Sequence, residues 1–410
     1  MPGIHHSGVP AFVGLMMILC FSYGTFAAGV VTSAKESSLV AALADGGAVT
    51  FAVDGTIYLT TTIVVSNNTV LDGTGHNVVI SGSNSVQIFI VNSNTTLAMT
   101  NLTLAEGHAE FWSFYESWLD GGHGGAITNA GTLQMTGCVF VDNGADGGTN
   151  YSGGAEAEGG AIYNTGLVMA WSCSFVGNYA AGAIGESEAV VGVTSGGVGN
   201  GGAIFNANQA TFINCVFSNN SATGGQGGSY ENSANFGGAP GGGANGGALC
   251  NIGSLVASNN TFAQNVATGG QGGQGGAEFV FYYVYSGGGG AKGGTVGGGA
   301  VCCLGGSSIL VNDTFWSNSA FGGTGGAGGA GSFALPGTGG QDGNGGNGGQ
   351  GGGGWGRRRR GRGRFCYRNN FRIARFSRRS GDWAGRLCCE SWGRCDSQEF
   401  NLQSQLFLRH

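Results

Sequence analysis

Residues 1–354 of this 410-residue chain contain no arginine. The two lysines of that part, Lys35 and Lys292, stand against 18 Asp and Glu residues and leave a net charge of −16. Such an acidic body repels phosphate, which argues against a nucleic-acid-binding protein. All 14 arginines fall between Arg357 and Arg409, where only 4 acids oppose them and the net charge is +10. The overall charge of −6 therefore joins two parts of opposite sign.

Proline and charge are also scarce, with 4 Pro and 9% charged residues. The 89 glycines follow no strict G-X-Y period, which excludes collagen and indicates low-complexity segments among structured ones. The hydrophobic fraction of 41% is enough for a core, so the chain is not disordered throughout.

The N-terminus has the pattern of a secretory signal peptide over residues 1–28. An apolar stretch from Ala11 to Tyr23 precedes the small residues Thr25, Ala27 and Ala28. The stretch is too short for a membrane-spanning helix. Its n-region has no Lys or Arg, which departs from the usual pattern. We expect the chain to be exported.

Five segments of about 20 residues repeat along residues 111–354. They are "GGAITNAGTLQMTGCVFVDN", "GGAIYNTGLVMAWSCSFVGN", "GGAIFNANQATFINCVFSNN", "GGALCNIGSLVASNNTFAQN" and "GGAVCCLGGSSILVNDTFWSN". Short alternating strands of this kind cannot close a core alone, but parallel stacked coils can. The sequence therefore predicts a β-solenoid.

Three positions recur in every unit. The Phe positions predict one buried aromatic stack, the Asn positions a ladder of side-chain amides at a turn, and the first Gly a tight bend. These structural positions are Phe140, Phe175, Phe217, Phe262 and Phe315; Asn143, Asn178, Asn220, Asn265 and Asn318; and Gly124, Gly159, Gly201, Gly246 and Gly298.

Two residues before the Phe lie Cys138, Cys173 and Cys215, then Asn260 and Asp313. We interpret these cysteines as small buried side chains that fill a ladder. A disulfide between neighbouring coils is the alternative, and a metal site is disfavoured because no His aligns with them.

Residues 29–110 are predicted to hold a cap and the first coils, with "ESSLVAALADGG" as a short helix over the open end. Between the repeats, linking segments lengthen from 15 to at least 32 residues and should emerge along one edge as Gly-rich loops. One of them contains "EFVFYYVY", either an extra hairpin strand or a contact surface for a partner or a second copy.

The GGA-I and F-x-x-N pair resembles the repeats of chlamydial-type polymorphic outer membrane proteins. The run "ADGGAVTFAVDGTIYLTTTIVV" is similar to the opening coils of pectin-lyase-like β-helices. Together these resemblances cover roughly residues 36–318. They imply a right-handed, single-stranded parallel β-helix from a bacterial, autotransporter-like protein of the cell outer membrane or extracellular space. Because the family's C-terminal membrane anchor is missing from this sequence, membrane association is expected only through such an anchor.

Enzymes of the pectin-lyase-like fold need an Arg or Lys base, or clustered carboxylates. Asp72 with His76 is the nearest candidate pair and is interpreted as a turn, whereas Asp120 with His123 is a weak metal pair. An acidic and aromatic insertion could bind sugar or calcium. It comprises Glu106, Glu110, Trp112, Glu116, Trp118 and Asp120. We assign no catalytic residue, metal or cofactor.

The tail from residue 355 begins "WGRRRRGRGR" directly after a Gly run. Glycine codons are GGN, and the same bases read one position out of register are NGG, which encodes only Trp, Arg or Gly. We therefore interpret residues 355–410 as an out-of-frame translation that forms a disordered or misfolded tail. A one-base shift near codon 354 should open a frame with further repeats.

These observations predict an exported surface protein that works by adhesion or structural display, without catalysis. Its expected partners are a host or matrix surface component or further copies of the chain, and no nucleic acid. The alternative is a carbohydrate-active β-helix enzyme, a polysaccharide lyase or glycoside hydrolase.

Overall fold

The computed structural model describes residues 29–110, 122–150, 153–187, 192–230, 236–276 and 287–329, and the backbone of five strands between 354 and 401. The predicted signal peptide, the run "EFVFYYVY" and residues 111–121 lie outside the described part of the chain.

The described chain is almost all β-strand, with one helix, α1, at Glu36–Leu43. A full coil passes through five short strands, one in each of five parallel sheets, which are named sheets 1 to 5 in chain order. Sheet 1 contains Ile63–Val65, Phe89–Val91, Ile127–Asn129, Ile162–Asn164, Ile204–Asn206, Leu249–Asn251 and Val301–Cys303. Sheet 2 contains Gly29–Val31, Gly47–Phe51, Thr69–Asp72, Thr96–Thr100, Thr132–Thr136, Leu167–Trp171, Gln209–Ile213, Ser254–Ser258, Ser307–Val311 and Phe371–Ile373.

The other three sheets complete each coil. Sheet 3 contains Gly55–Tyr58, Val78–Ser81, Thr103–Ala105, Val139–Val141, Ser174–Val176, Val216–Ser218, Thr261–Ala263 and Thr314–Trp316. Sheet 4 contains His108–Glu110, Gly144–Asp146, Tyr179–Ala181, Ser221–Thr223, Val266–Thr268 and Ser319–Phe321. Sheet 5 contains Gly122–His123, Ala157–Glu158, Gly199–Asn200, Ala244–Asn245, Val296–Gly297 and Gly354–Trp355.

The strand register places the five sequence repeats directly above one another. Phe140 pairs with Phe175, Phe175 with Phe217, Phe217 with Phe262, and Phe262 with Phe315. The molecule is a right-handed parallel β-helix, which confirms the predicted fold class. The predicted linking segments are not loops throughout, since all five begin with a strand of sheet 4 and the first four end with a strand of sheet 5.

The main core is a continuous apolar column that runs from Val31 to Phe315, and two small alanine-rich clusters lie apart from it on sheets 4 and 5. Its centre is the phenylalanine stack, whose ring centroids lie 4.7 to 4.9 Å apart with nearly parallel planes. That separation equals the distance between strands of a sheet, so each ring fills the same slot in its coil. Cys138, Cys173 and Cys215 lie beside the stack as free, buried thiols.

Buried asparagines form a ladder along the turn between sheets 3 and 4. From Asn178 on, each Oδ1 accepts a hydrogen bond from the backbone N–H and from Nδ2 of the asparagine one coil earlier, at 2.9 to 3.1 Å. A second ladder, which we did not predict, closes sheet 1. It comprises Asn129, Asn164, Asn206 and Asn251. The ladders satisfy buried polar groups at every coil.

The first Gly of each repeat makes the bend between sheets 5 and 1. Its φ is +65° or +66° in all five units, a region that favours glycine. A Cβ there would also overlap a backbone carbonyl oxygen within the same bend. The positive φ and the close backbone contact at this bend therefore explain the first Gly of the GGA-I pattern.

Helix α1 lies at the start of the solenoid, with Leu39 fully buried against the first strands. Its Glu36 carboxylate accepts hydrogen bonds from both Thr60 and Thr61. These hydrogen bonds lower the pKa of Glu36 and tie the helix to the first coil.

In the tail, Phe371–Ile373 adds to sheet 2 and Gly354–Trp355 to sheet 5. Three further strands, Ser377–Arg379, Asp382–Ser391 and Arg394–Asn401, form an antiparallel sheet. The remaining tail residues lie outside the described part of the chain. That the tail is disordered or misfolded stays a prediction. The out-of-frame hypothesis concerns the nucleotide sequence and stays a prediction.

Asp313 occupies a position at which the preceding coil has Asn260. Its Oδ1 accepts from the N–H and Nδ2 of Asn260, at 2.7 and 2.9 Å. Its buried Oδ2 has no hydrogen-bond partner among the described residues. At the equivalent position of the preceding coil, the Nδ2 of Asn260 also donates to the carbonyl of Phe212. An amide at residue 313 could make the same hydrogen bond one coil further on.

We therefore expect Asp313→Asn to stabilise the protein at neutral pH by about 1–2 kcal/mol. Burial raises the pKa of Asp313, so its contribution to stability is present below the unfolded pKa of about 3.9 and is lost as pH rises through the folded pKa. Urea unfolding at several pH values should show a gain that shrinks towards pH 4. The exposed Asp45→Asn is the control, and a gain independent of pH would contradict the explanation.

The Gly-rich segments pack against each other as a two-layer slab rather than as separate loops. Within the described residues, four coils send a leg out after sheet 4, and the first three of these also show a return leg before sheet 5. We name this region the glycine slab; it comprises residues 182–187, 192–198, 224–230, 236–243, 269–276, 287–295 and 322–329. One hydrogen-bond chain crosses between its layers, from the N–H of each leg to a carbonyl of the leg before it. The chain is Gly225 to Gly197, Gly242 to Gly225, Gly270 to Gly242, Gly294 to Gly270 and Gly323 to Gly294.

The same bonding recurs every third residue along the legs, the number of residues per turn in a polyproline II helix. In the triplets of the outgoing leg 269–276, two glycines are buried and the third residue, Gln271 or Gln274, is exposed. A Cβ on most of the buried glycines would overlap the backbone of a neighbouring leg. In collagen only one position in three faces the crowded axis and must be Gly. Here each leg has neighbours in its own layer and in the other layer, so two positions in three are crowded and hold Gly.

Candidate functional site

Ionisable side chains gather where sheets 4 and 5 begin, on the strands that flank residues 111–121 in the chain. A pocket of about 530 Å³ opens there. It is lined by Thr62, Ser85, Val86, Gln87, His108, Ala109, Glu110, Gly122, His123 and Thr128. We name this pocket, with the neighbouring Asp146, Tyr179 and Glu158, the acidic groove.

His108 lies between two carboxylates on adjacent strands of sheet 4. Its Nε2 is 3.7 Å from Asp146 Oδ2 and 3.8 Å from Glu110 Oε2. Its side chain is only 17% exposed. Glu110 and Asp146 are register partners, so parallel stacking brings the two carboxylates to one imidazole.

Tyr179 adds a phenol from the following coil. Its hydroxyl lies 3.3 Å from Asp146 Oδ2 and 3.5 Å from His108 Nδ1. The Tyr179 ring lies over Gly144, where a Cβ would overlap the phenol. Gly144 therefore positions the Tyr179 side chain.

Burial is the main cause of the raised pKa of Asp146, and the proximity of His108 opposes it. Burial and the nearby Asp146 carboxylate raise the pKa of Tyr179 to about 12. The phenol therefore stays protonated at neutral pH and can donate to Asp146. A carboxyl with raised pKa beside a second carboxylate is the arrangement that acid–base chemistry requires.

A second histidine–carboxylate pair lies on sheet 5. His123 Nε2 is 3.5 Å from Glu158 Oε2, and the His123 ring stacks on Tyr163 at 4.3 Å. Burial also raises the pKa of Glu156, whose carboxylate accepts from Asn200.

The sequence candidates are only partly brought together. Asp72 accepts from the Thr74 N–H within a turn, and His76 lies 3.5 Å from Asp54. The Glu106 carboxylate accepts a hydrogen bond from the Ser81 hydroxyl, which we interpret as a structural contact. Of the remaining candidates, Glu110 and His123 line the groove, and the others lie outside the described residues. They are Trp112, Glu116, Trp118 and Asp120.

His108, Asp146, Tyr179 and Glu158 were not predicted as site residues. These residues come from different coils and become neighbours only in the β-helix register. Aligning His108–Glu110 with the residues after Asn143 and Asn178 would have brought Glu110, Asp146 and Tyr179 into view.

A second candidate surface is the outward face of the outgoing layer of the slab. The third residue of each triplet points away from the slab and is mostly polar and uncharged. With the last residue of each adjoining sheet 4 strand included, the exposed or half-exposed side chains on this face are Ala181, Ile184, Ser187, Thr223, Gln226, Ser229, Thr268, Gln271, Gln274, Phe321, Thr324 and Ala327. Packed glycines beneath fix their spacing at about 9 Å along a leg and about 4.8 Å between legs.

Within the described ranges, no three His, Cys, Asp or Glu side chains are grouped as a metal site. Over the same residues, no helix has the length and apolar character needed to cross a membrane. No protein-family model matches the chain, and no curated protein matches it.

Proposed function

We propose that the chain is an exported, surface-associated β-helix protein that acts in adhesion or structural display. The observation that carries this proposal is the glycine slab, whose buried glycines hold exposed Thr, Gln and Ser side chains in fixed rows. A backbone packed this way loses little conformational entropy on binding, which favours affinity. The signal-like N-terminus and the resemblance to polymorphic outer membrane protein repeats support export and a surface location.

The chemistry of the rows favours a partner rich in hydroxyl and amide groups, such as a matrix polysaccharide or glycoprotein. Amide and hydroxyl side chains both donate and accept hydrogen bonds. The face has no charged residue among its described triplet positions, so we expect binding that changes little with salt.

Binding of the full chain to immobilised matrix and cell-surface glycans tests this proposal. Changing Gln226, Gln271 and Gln274 together to alanine should weaken binding at least about tenfold, since each truncation removes hydrogen bonds of about 1 kcal/mol. Ser195, Lys292 and Thr295 on the return layer, changed together to alanine, form the matched control. Equal losses in both variants would contradict a role for the outgoing face.

The acidic groove supports a second candidate function, glycoside hydrolysis. Glu110 and Asp146 could serve as a carboxylate pair, with His108 and Tyr179 setting their protonation. Release of reducing ends from neutral polysaccharides, abolished by Asp146→Asn and by Glu110→Gln, would favour this function. Glycan binding without turnover favours adhesion or display.

A further inference from the structure

The outer face of sheet 2 is the longest regular surface of the solenoid. Its central row runs through eight register-paired strands. The row is Ala48, Val70, Ala98, Gln134, Met169, Thr211, Val256 and Ile309. None of these residues carries a charge. On the outward face from Gly47 to Val311, Asp72 is the one charged residue. The register continues into the tail strand, where Arg372 is the partner of Ile309.

Apolar side chains remain exposed at the later coils of this face. Val256 is 37% exposed and Ile309 45%, and these two are register partners. Trp171, in the neighbouring row, is 36% exposed. Ile252 and Leu304, in the turns before their sheet 2 strands, extend the patch and are 41% and 43% exposed. Soluble monomers rarely leave a contiguous apolar area of this kind uncovered.

We propose that two copies of this chain associate back to back through the outer faces of sheet 2. The face is a set of parallel ridges spaced at about 4.8 Å, the inter-strand distance. A second copy carries the same spacing, so its side chains can fit between these ridges as two β-sheets do when they pack face to face. An identical face on both partners gives a two-fold interface that closes on itself.

The size of the face can be compared with known interfaces. Eight strands at about 4.8 Å and five residues at about 3.3 Å cover roughly 630 Å² on each copy. The pair would bury roughly 1,270 Å², at the low end for specific complexes. We therefore expect a weak, reversible dimer.

Charge distinguishes this interface from the other way in which two copies could meet. The basic tail of one copy could bind the acidic body of another, and such association weakens steeply with salt. Contact between the two sheet faces, on which Asp72 is the one charged residue between Gly47 and Val311, depends far less on salt. Raising NaCl from about 0.05 to about 0.5 M should therefore leave the dissociation constant unchanged within about twofold.

Sedimentation equilibrium of the full chain, from about 1 to 100 µM, tests the proposal over concentrations at which a weak complex forms. Val256→Lys with Ile309→Lys should give a monomer throughout, because docking would bury two unpaired charges on each copy. The matched control is Thr223→Lys with Gln226→Lys on the slab face, which should still dimerise. Circular dichroism and melting temperature confirm that both variants fold.

Three outcomes would overturn the proposal. The wild-type chain could stay monomeric across this range, the sheet 2 variant could dimerise like wild type, or salt could dissociate the dimer. If only the slab variant failed to dimerise, the interface would lie on the slab. The proposal is independent of the adhesive function, because glycan binding is read on a different face by different variants.

Discussion

Replacing Gly270 with alanine is expected to open the glycine slab and to lower the free energy of unfolding by about 3 kcal/mol. Gly270 lies at the centre of the hydrogen-bond chain that crosses the layers. Its N–H donates to the Gly242 carbonyl at 2.8 Å, and its own carbonyl accepts from Gly294 at 2.8 Å. A Cβ would overlap the carbonyl of Gly225, a backbone group that no side-chain rotation can move.

Urea unfolding measures the loss of stability, and amide hydrogen exchange locates it. Exchange at the Gly270 and Gly294 amides should quicken by about a hundredfold if the legs separate locally. Amides of sheets 1 to 3 should keep their protection, because the core column does not depend on the slab for its packing.

Gly243→Ala is the matched control, the same substitution in a neighbouring leg. A Cβ there lies 3.1 Å from the Thr295 carbonyl oxygen, and the next nearest atoms are at 3.7 and 3.9 Å. A small shift of that neighbour relieves the contact, and alanine also restricts the unfolded chain. We expect a change within about 0.5 kcal/mol. Equal costs at both positions would mean that the legs are not packed as described.

The solenoid could be predicted from the sequence because its determinants recur in every unit. Phe217 and Asn220 have counterparts at fixed spacing, so their stacking follows from any parallel coil of that length. The second asparagine ladder carried the same signal. Asn129, Asn164 and Asn206 hold one aligned position in the GGA-I segments, yet they were not singled out.

The glycine slab was not predicted, because Gly-rich segments in most proteins are flexible linkers. The informative signal is local: the run from Thr268 to Gly276 is X-G-G in three successive triplets. A whole-chain search for G-X-Y does not detect it. The contacts that make these triplets necessary come from legs of other coils and are visible only once the coils are stacked.

Asn220→Ala is expected to cost about 4 kcal/mol, the second large effect. The Asn220 Oδ1 accepts from both the N–H and Nδ2 of Asn178, at 3.0 and 2.9 Å, and these two buried donors would lose their acceptor. The carbonyl of Phe175 would lose the Nδ2 donor at 3.0 Å. Each buried group left without a partner costs about 1–3 kcal/mol, and alanine fills none of these roles.

Asn208→Ala is the matched control. Asn208 is exposed, and its Nδ2 makes one hydrogen bond, to the carbonyl of Thr165 at 3.0 Å. We expect its loss to cost less than about 1 kcal/mol. If urea unfolding gave the same cost for both substitutions, the ladder would not be a source of stability.

Asn220→Asp separates the acceptor role of the ladder from its donor role. An aspartate keeps Oδ1 for Asn178, but its second oxygen faces the Phe175 carbonyl and must be protonated to donate. Burial at this position should therefore raise its pKa, as it does for Asp313. The variant should approach wild-type stability near pH 4 and lose it as pH rises through the raised pKa. Asn220→Ala should show no such recovery, because it has no group to protonate.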